Sequence, residues 1–414
     1  MNEVKALVPK LRFPEFREAE GWELRPLGEF LNESRLPGTK GDVAKKITVK
    51  LWGNGVFGKN EAIQGSVNTQ YFERKAGQFI YSKLDFLNQA FGVIPESLEN
   101  FESTVYLPCF DIAEGLNSMF LLECVKRKDF YERVGAAADG SRKARRIHAD
   151  TFLSFSVAVP PEVEQQRVAD CLSSVDELIA GRARKVDALK THKKGLMQQL
   201  FPREGETQPR LRFPEFRSAG EWARKTLEDV AKISSGSTPL RSTEEFFVDG
   251  SIPWVKTTDL NNSFIVETEE KITPQARSRI NPAGSVLVAM YGGFNQIGRT
   301  GCLSLPAATN QAISVLVVNR KIALPVYVLA WLNAKVEDWK RIASSSRKDP
   351  NITGSDVAQF PIAFPEIQEQ QKIAECLTSI DDTLASENKR LETLKTHKKG
   401  LMQQLFPSPE EVAV

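Results

Sequence analysis

The sequence has few of the residues that most often carry metal and redox chemistry. It contains three histidines and five cysteines among 414 residues, and no two cysteines stand in a CxxC spacing. The spacings typical of structural zinc sites are therefore missing, and no metal site is expected. Scattered cysteines in odd number favour a reduced, cytoplasmic protein in which the thiols serve as small core residues.

Long apolar runs and a strong charge bias are also missing. No stretch approaches the roughly 20 apolar residues of a membrane span, and the N-terminal segment MNEVKALVPKLRF lacks the apolar centre of a signal peptide. The formal net charge is +2, so composition alone does not indicate a nucleic-acid partner. The length predicts two or three domains.

One glycine-rich stretch could suggest nucleotide binding. Gly53–Asn60 reads GNGVFGKN and contains both G-x-G-x-x-G and G-x-x-x-x-G-K. A P-loop continues with Ser or Thr, whereas this sequence has Asn60, and both motifs require a helix immediately afterwards. Residues 59–70 show no apolar period of 3.6, so the favoured interpretation is a turn between strands that could lie on DNA.

The strongest signal in the sequence is an internal repeat. Leu189–Pro202, LKTHKKGLMQQLFP, returns letter for letter at Leu394–Pro407, an offset of 205 residues. More loosely, Glu164–Ala180 matches Glu369–Ala385 at the same offset. One supersecondary unit is therefore used twice.

Both copies show the apolar spacing of a coiled coil. Apolar residues recur at alternating steps of four and three, and prolines precede and follow each copy. A single helix leaves its seam without a partner, so the two copies are expected to pack antiparallel on each other. Arg182 and Glu387 interrupt the seam at equivalent places and are predicted to pair and fix the register; alternatively, both extend to solvent.

A second repeat divides the chain into parts. Pro9–Phe16, PKLRFPEF, returns as PRLRFPEF at Pro209–Phe216. The predicted order of domains is an N-terminal arm (1–20), a first globular domain (21–161), a first long helix (162–202), a linker (203–208), a second globular domain (209–366), a second long helix (367–407) and a tail (408–414).

The two globular domains differ in sequence but are both predicted to be mixed α/β. Short β-branched and aromatic runs between Gly, Pro and Asn predict strands. They lie at Ile47–Trp52, Phe79–Ser82, Thr104–Leu107 and Phe152–Val159 in the first domain and at Ile252–Lys256, Ser285–Met290, Ile313–Val318 and Phe360–Phe364 in the second. A helix is predicted at Pro325–Ile342.

Basic and polar residues in the loops suggest nucleic-acid binding. A basic stretch precedes the last predicted strand of each domain, SRKARR at 141–146 and SSSRK at 344–348. Basic side chains on glycine- or serine-rich loops suit phosphate contacts, although a charged run can also be a solvated loop. Polar clusters flank the strands of the second domain, and Asn and Gln there could read adenine or hold their own loops.

Several of these motifs together resemble a known family. The PKLRFPEF arm, the stretches Gly236–Pro239 (GSTP), Ile252–Leu260 (IPWVKTTDL) and Thr309–Ile313 (TNQAI), and the EQQ-led helix ending in KGLMQQLFP are similar to the DNA-specificity subunits of type I restriction-modification enzymes. The resemblance implies two target-recognition domains that each read one half of a bipartite DNA site.

The resemblance also implies partners. Two methyltransferase subunits would dock on the repeated helices, and restriction/translocase subunits would join them. The chain itself would be non-catalytic and free of cofactors, with S-adenosylmethionine, ATP and Mg²⁺ bound by the partner subunits. Other readings are a freestanding DNA-binding regulator, a solitary remnant of such a system, or a self-contained methyltransferase, for which no cofactor motif is visible.

These patterns give a list of expected DNA-contacting residues. They are Lys59, Asn60, Arg74, Lys83, Arg142, Lys143, Arg145 and Arg146 in the first domain, and Ser237, Thr238, Lys256, Thr258, Arg299, Asn310, Gln311, Arg347 and Lys348 in the second.

Overall fold

The computed structural model describes residues 7–59, 65–137, 146–293, 295–344 and 351–407. The chain forms two compact units: residues 1–183 with 389–414 make the first, and residues 184–388 make the second. Each unit therefore contains one globular domain and parts of both long helices.

The described residues form short strands and helices in both units. The strands are β1 (Glu23–Pro26), β2 (Leu31–Glu33), β3 (Pro37–Lys40), β4 (Ile47–Val49), β5 (Val56–Gly58), β6 (Gln70–Glu73), β7 (Phe79–Tyr81), β8 (Phe91–Val93), β9 (Glu102–Ser103), β10 (Cys109–Ile112), β11 (Ser156–Val159), β12 (Ala223–Thr226), β13 (Ala231–Ser235), β14 (Ile252–Val255), β15 (Phe264–Ile265), β16 (Glu270–Ile272), β17 (Val286–Ala289), β18 (Thr300–Leu303), β19 (Ala308–Thr309), β20 (Ile313–Val318) and β21 (Pro361–Phe364). The α-helices are α1 (Ser118–Lys126), α2 (Lys128–Ala136), α3 (Ala149–Leu153), α4 (Glu162–Leu200), α5 (Leu227–Val230), α6 (Pro325–Ala334), α7 (Val336–Ser344), α8 (Gly354–Ala358) and α9 (Ile367–Gln404).

The main sheets of the two units have the same strand order. In the first unit it is β2-β10-β7-β8, and in the second it is β13-β20-β17-β18 with β15 added at the edge. A two-strand ribbon, β1 with β11 or β12 with β21, joins the start of each domain to the strand that precedes the long helix. The predicted mixed α/β fold with an internal two-fold repeat is thus confirmed.

Each unit has a core to which both long helices contribute. In the first unit, Val168 and Leu172 of α4 share a cluster with Leu405 and Phe406 at the end of α9. The second unit repeats this arrangement with Ile373 and Leu377 of α9 and with Leu200 and Phe201 at the end of α4. Since the start of one helix meets the end of the other in each unit, the helices run antiparallel as predicted.

Ion pairs mark the register of the helix pair. In the first unit, Lys398 Nζ lies 2.6 Å from Asp176 Oδ2. At the equivalent place in the second unit, Lys193 Nζ lies 2.5 Å from Asp381 Oδ1. The two lysines were visible in the sequence as interruptions of the apolar seam, but their aspartate partners were not identified.

The predicted pairing of Arg182 with Glu387 stays a prediction. The Glu387 carboxylate is nearly buried and accepts a hydrogen bond from Lys185 Nζ at 2.8 Å. Glu387 therefore does have a cationic partner inside the second unit.

The repeated EQQ motif ties each globular domain to its helix. The Gln165 amide is fully buried; it accepts from the Asn117 N–H at 2.8 Å and donates to the Gly115 and Pro160 carbonyls. Gln370 makes the same set of bonds, accepting from the Leu324 N–H at 2.9 Å. Buried amides are stable only when their polar atoms are paired, so this glutamine fixes where the helix meets the loop before α1 or α6.

The glutamate of the same motif holds the arm. Arg12 forms a two-bonded pair with Glu164 at 2.8 and 2.7 Å, and their side chains are 5% and 1% exposed. Arg212 and Glu369 repeat the pair at 2.8 and 2.7 Å in the second unit. Trp22 also donates to Glu164 through Nε1 at 3.2 Å. The repeat of the arm motif is therefore explained by a buried ion pair with the helix.

Several predicted elements differ in the structure. Thr104–Leu107 is not a strand but a turn closed by the Leu107 N–H to Thr104 carbonyl bond at 3.0 Å. The strand from Ile47 ends at Val49, and the segment from Phe152 begins as the end of α3. The predicted helix Pro325–Ile342 is divided into α6 and α7 at Lys335. Composition alone could not locate these breaks.

The cysteines are free thiols in the structure. Cys109, Cys124 and Cys302 are buried, whereas Cys171 and Cys376 are half-buried. Burial raises the pKa of the Cys109 thiol to about 12, so it stays protonated and unreactive near neutral pH. Among the described helices, none is long and apolar enough to cross a membrane.

Breaking the arm–helix ion pair should destabilise the first unit. Arg12→Ala would leave the Glu164 carboxylate, which is 1% exposed, buried without its cation, at a cost of roughly 3–5 kcal/mol. The measurement is denaturant unfolding of the full chain. Lys128→Ala is the control, because Lys128 pairs with Glu132 in the same unit while 76% exposed; it should change stability by less than about 1 kcal/mol. Equal effects of the two changes would contradict this role of Arg12.

Candidate nucleic-acid interface

The loops that carry the predicted contacts of the second unit meet at one end of its main sheet. β20 is antiparallel to both β13 and β17. The segments after β13, after β17 and before β20 therefore lie at the same end. These are residues 236–238, 290–299 and 310–312, and they include Ser237, Thr238, Arg299, Asn310 and Gln311.

Hydrogen bonds hold these segments against one another. The Ser237 N–H donates to the Thr309 carbonyl at 2.9 Å, and the Gln311 N–H donates to Thr238 Oγ1 at 3.4 Å. The Tyr291 hydroxyl donates to the Gln311 carbonyl at 3.0 Å. The segments thus form one polar surface, with Ser237, Thr238 and Gln311 exposed.

Gly236 makes this close approach possible. A Cβ at Gly236 would collide with the carbonyl oxygens of Thr309 and Asn310. Only a residue without a side chain allows the two segments to lie so close. The Gly in the GSTP stretch is therefore required by the geometry of the surface.

The segment after β14 joins the same surface. The Asn310 N–H donates to the Val255 carbonyl at 2.9 Å, which places Lys256 and the exposed Thr258 beside it. The Lys256 ammonium, however, is held by Glu269 at 2.8 Å and Glu270 at 2.7 Å. These hydrogen bonds raise the pKa of Lys256, so this cation already has two carboxylate partners.

The two amides of the TNQAI stretch differ in what they can offer a ligand. Asn310 Oδ1 accepts from the Ala312 N–H at 3.2 Å, which leaves its NH₂ group to donate. Gln311 is exposed, and its backbone is fixed from both sides by Thr238 and Tyr291. Arg299 is half-buried, with its N–H bonded to the Gln296 carbonyl at 3.0 Å.

The first unit presents the same end of its sheet. The Ser34 N–H donates to the Cys109 carbonyl at 2.8 Å, as the Gly236 N–H does to the Ile313 carbonyl at 3.2 Å. Phe110 is opposite Glu33, as Ser314 is opposite Ser235. The segments after β2, after β7 and before β10 are therefore the equivalents of the three segments in the second unit.

Lys83 and Arg146 come together at this end. The Lys83 N–H donates to the Tyr106 carbonyl at 3.0 Å, and the Lys83 carbonyl accepts from the Ile147 N–H at 3.0 Å. The Arg146 guanidinium lies 5.9 Å from the centre of the Tyr106 ring. Lys83 is half-buried and Arg146 is exposed, so one guanidinium lies beside an exposed aromatic ring whose backbone is bonded to Lys83.

Arg74 requires a correction. Only 2% of Arg74 is exposed, and its guanidinium donates to Ser103 Oγ at 2.8 Å and to the Ser34 carbonyl at 2.6 Å. Burial lowers the pKa of Arg74. The residue holds the start of the loop after β2 from inside and cannot contact DNA in this conformation.

Other predicted residues lie at the margin of the described chain or beyond it. Lys59 is exposed, and its N–H donates to the Lys46 carbonyl at 2.7 Å. Outside the described residues lie Asn60, Arg142, Lys143, Arg145, Arg347 and Lys348. Among the described residues, Ile147 and Ile352 bond to Lys83 and to Met290, so the chain lies beside the loop end of the sheet at these two residues.

Sequence reasoning missed two aromatic residues of this surface. Tyr106 is 53% exposed and Tyr291 is 39% exposed. Tyr106 lies inside the predicted strand Thr104–Leu107, and Tyr291 directly follows the predicted strand Ser285–Met290. The available signal was an aromatic residue next to loop-forming residues such as Thr, Gly or Pro.

The glycine-rich stretch from Gly53 is not followed by the helix of a nucleotide-binding loop. Gly53 and Gly55 have φ of +66° and +90°, and the chain then enters strand β5. This is the turn between strands that the sequence favoured. Within the described ranges, no group of three or more His, Cys, Asp or Glu side chains could hold a metal ion.

A family model and several curated proteins match this chain. Residues 219–396 match the "Type I restriction modification DNA specificity domain" model. The EcoR124I/EcoR124II specificity subunit of Escherichia coli is 28% identical over 167 residues, which cover 39% of this chain and 41% of that protein. The MjaVIII specificity subunit of Methanocaldococcus jannaschii is 23% identical over 413 residues, 94% of this chain and 93% of that protein.

Over residues 219–396 the chain is thus similar to type I restriction-modification DNA-specificity domains. The matched segment of the family model contains the whole polar surface of the second unit and most of α9. The alignments cover only 41% of the length of each of the first two curated relatives, whereas the MjaVIII match covers nearly both chains.

Solved structures share the fold of this chain. The S subunit of a type I restriction-modification system from M. genitalium has a TM-score of 0.62 at 16% identity, covering 97% of this chain and all of that one. A structure reported for complex assembly of a type I R-M system has a TM-score of 0.56 at 17% identity with the same coverage.

Two basic residues of the first unit can be tested against the buried Arg74. Removing Lys83 and Arg146 together should weaken DNA binding by the full chain and reduce the slope of log K against log salt by up to about 2, because each phosphate contact contributes roughly 0.9. Arg74→Ala should instead lower the free energy of unfolding by about 1–3 kcal/mol with the salt slope unchanged. An unchanged slope in the double variant would remove both residues from the interface.

Proposed function

We propose that this chain gives a type I restriction-modification enzyme its DNA specificity by reading a bipartite site. Each unit reads one half of the site with the loop end of its main sheet. The chain itself supplies recognition and docking, while methyl transfer, ATP hydrolysis and cleavage belong to partner subunits that bind S-adenosylmethionine, ATP and Mg²⁺.

The observation that carries this proposal is a shared backbone frame with different side chains. The two sheets have the same order and the same bonds at their loop ends. At those ends the first unit presents Lys83, Tyr106 and Arg146, and the second presents Ser237 and Gln311. Two domains with the same backbone frame but different polar surfaces are suited to two unlike half-sites. Base edges differ in their donors, acceptors and methyl groups, so each half-site needs its own set of side chains.

The parts that remain identical between the halves also come together in space. In the first unit, the Leu11 N–H of the arm donates to the Gln404 carbonyl at the end of α9 at 2.9 Å. In the second, the Leu211 N–H donates to the Gln199 carbonyl at the end of α4, also at 2.9 Å. Each unit thus joins one copy of the arm motif to one copy of the repeated helix end.

This composite surface, the arm motif with the adjoining helix end, is not explained by core packing alone. Leu11 and Leu211 are 39% and 38% exposed, and Gln199 is exposed within the identical helix segment. The same exposed residues recur on two units that otherwise differ in sequence, as expected if each unit binds one copy of the same partner. We assign the composite surfaces to two methyltransferase subunits, which restriction/translocase subunits then join.

The proposed function is tested by methylation-aware sequencing of DNA from cells that express this chain with a methyltransferase subunit. The expected result is a split sequence motif, with a fixed spacer, whose adenines are methylated only when this chain is present. No new methylation would contradict the proposal and favour a freestanding DNA-binding regulator. Methylation at a single unsplit motif would contradict the assignment of one half-site to each unit.

The docking assignment makes a separate prediction about stoichiometry. Leu211→Glu places a charge on the composite surface of the second unit and should reduce the bound methyltransferase subunits from two to one, as measured by native mass spectrometry. Val8→Glu is the matched control: Val8 lies in the first arm and is 50% exposed, but its counterpart in the repeat is Gln208. Two bound subunits in both variants would remove the arm from the docking surface.

A further inference from the structure

Tyr106 occupies a special position in the first unit. It lies at the tip of the turn between β9 and β10 and is 53% exposed, next to Val105, which is 45% exposed. The turn is short, and two hydrogen bonds hold it. The Tyr106 N–H donates to Thr104 Oγ1 at 3.4 Å, and the Tyr106 carbonyl accepts from the Lys83 N–H at 3.0 Å. The backbone is therefore fixed, while the ring remains accessible.

The position of Tyr106 is equivalent to that of Asn310. Cys109 begins β10 opposite Ile80, as Ile313 begins β20 opposite Ala289. Counting three residues back from each strand start reaches Tyr106 in one unit and Asn310 in the other. The TNQAI stretch was selected from the sequence for its amides. The exposed aromatic turn lies at the equivalent place in the first unit.

The surroundings of Tyr106 suit a nucleic-acid ligand better than a protein core. The Arg146 guanidinium lies 5.9 Å from the ring centre, and Lys83 is bonded to the Tyr106 backbone. A guanidinium beside the ring can bind a phosphate and hold the strand, while the exposed ring and Val105 offer an apolar contact to a base. Single exposed aromatic residues are common on protein surfaces, but the backbone of this one is fixed by hydrogen bonds and its ring lies beside the Arg146 guanidinium.

We propose that Tyr106 is a base-reading residue of the first unit and that its ring, rather than its hydroxyl, makes the contact. The ring would pack on an apolar base edge such as the thymine methyl group. This inference rests on the proposed function and adds to it a residue that determines one position of the first half-site.

The experiment uses the full chain co-expressed with the methyltransferase subunit on a randomised plasmid library, read by methylation-aware sequencing. Tyr106→Ala should reduce the preference at one base pair of one half-site roughly 5- to 100-fold, the range typical of one mismatched pair. Tyr106→Phe keeps the ring and should leave the motif unchanged. Tyr106→Asn introduces the side chain of the equivalent position and should also change that base pair.

Each outcome separates the inference from the function on which it rests. If the wild-type chain gives a split motif and neither Tyr106→Ala nor Tyr106→Asn changes it, the inference is wrong and the proposed function stands. If the wild-type chain gives no split motif, the proposed function itself fails. A loss of preference in Tyr106→Phe equal to that in Tyr106→Ala would overturn the assignment to the ring, and a change in the other half-site would overturn the assignment to the first unit.

Discussion

The buried ion pair between arm and helix is the constraint on which the architecture depends. Arg12 with Glu164 and Arg212 with Glu369 remove charges from water in places where their side chains are 7% exposed or less. Such a pair adds little stability over an apolar contact, but its two fixed hydrogen bonds permit only one arrangement of arm and helix. The adjacent Gln165 and Gln370 then fix the loop before α1 or α6 by the same requirement that buried polar atoms be paired. Two adjacent residues near the start of each long helix therefore orient the arm, the domain and the helix together.

Because buried contacts fix the arm, the domain and the helix, the side chains at the loop ends of the sheets can vary. The bonds at those ends join backbone atoms, as between Ser34 and Cys109 and between Gly236 and Ile313. Because backbone groups are the same whatever the side chain, residues such as Tyr106 and Asn310 can differ without disturbing the frame. Side chains at the loop ends can therefore diverge, and change the surface proposed for recognition, without changing the backbone frame.

The sequence predicted the domains and the pairing of the long helices better than individual turns, ion pairs and buried residues. The repeats predicted two units of one plan and a paired set of long helices, because identical residues must make equivalent contacts, whereas short β-branched and aromatic runs predicted the mixed α/β domains. The seam pairs of Lys193 with Asp381 and of Lys398 with Asp176 escaped detection, since each aspartate lies beside the apolar positions and looks like a solvent residue. Arg74 was predicted to contact DNA, and only the three-dimensional structure shows that it is buried. Tyr106 was overlooked because a β-rich tetrapeptide can form either a strand or a turn.

The position of Phe406 affects the order in which the chain can fold. Its ring lies edge-on to Trp22 at 5.9 Å and 5.5 Å from Phe120, so the first unit is completed by residues near the end of the chain. The second unit, by contrast, consists of the continuous segment 184–388. During synthesis the second unit therefore has all its residues before the first does. The N-terminal domain usually folds first as it leaves the ribosome, but here the core of the first unit is complete only after α9 has been synthesised.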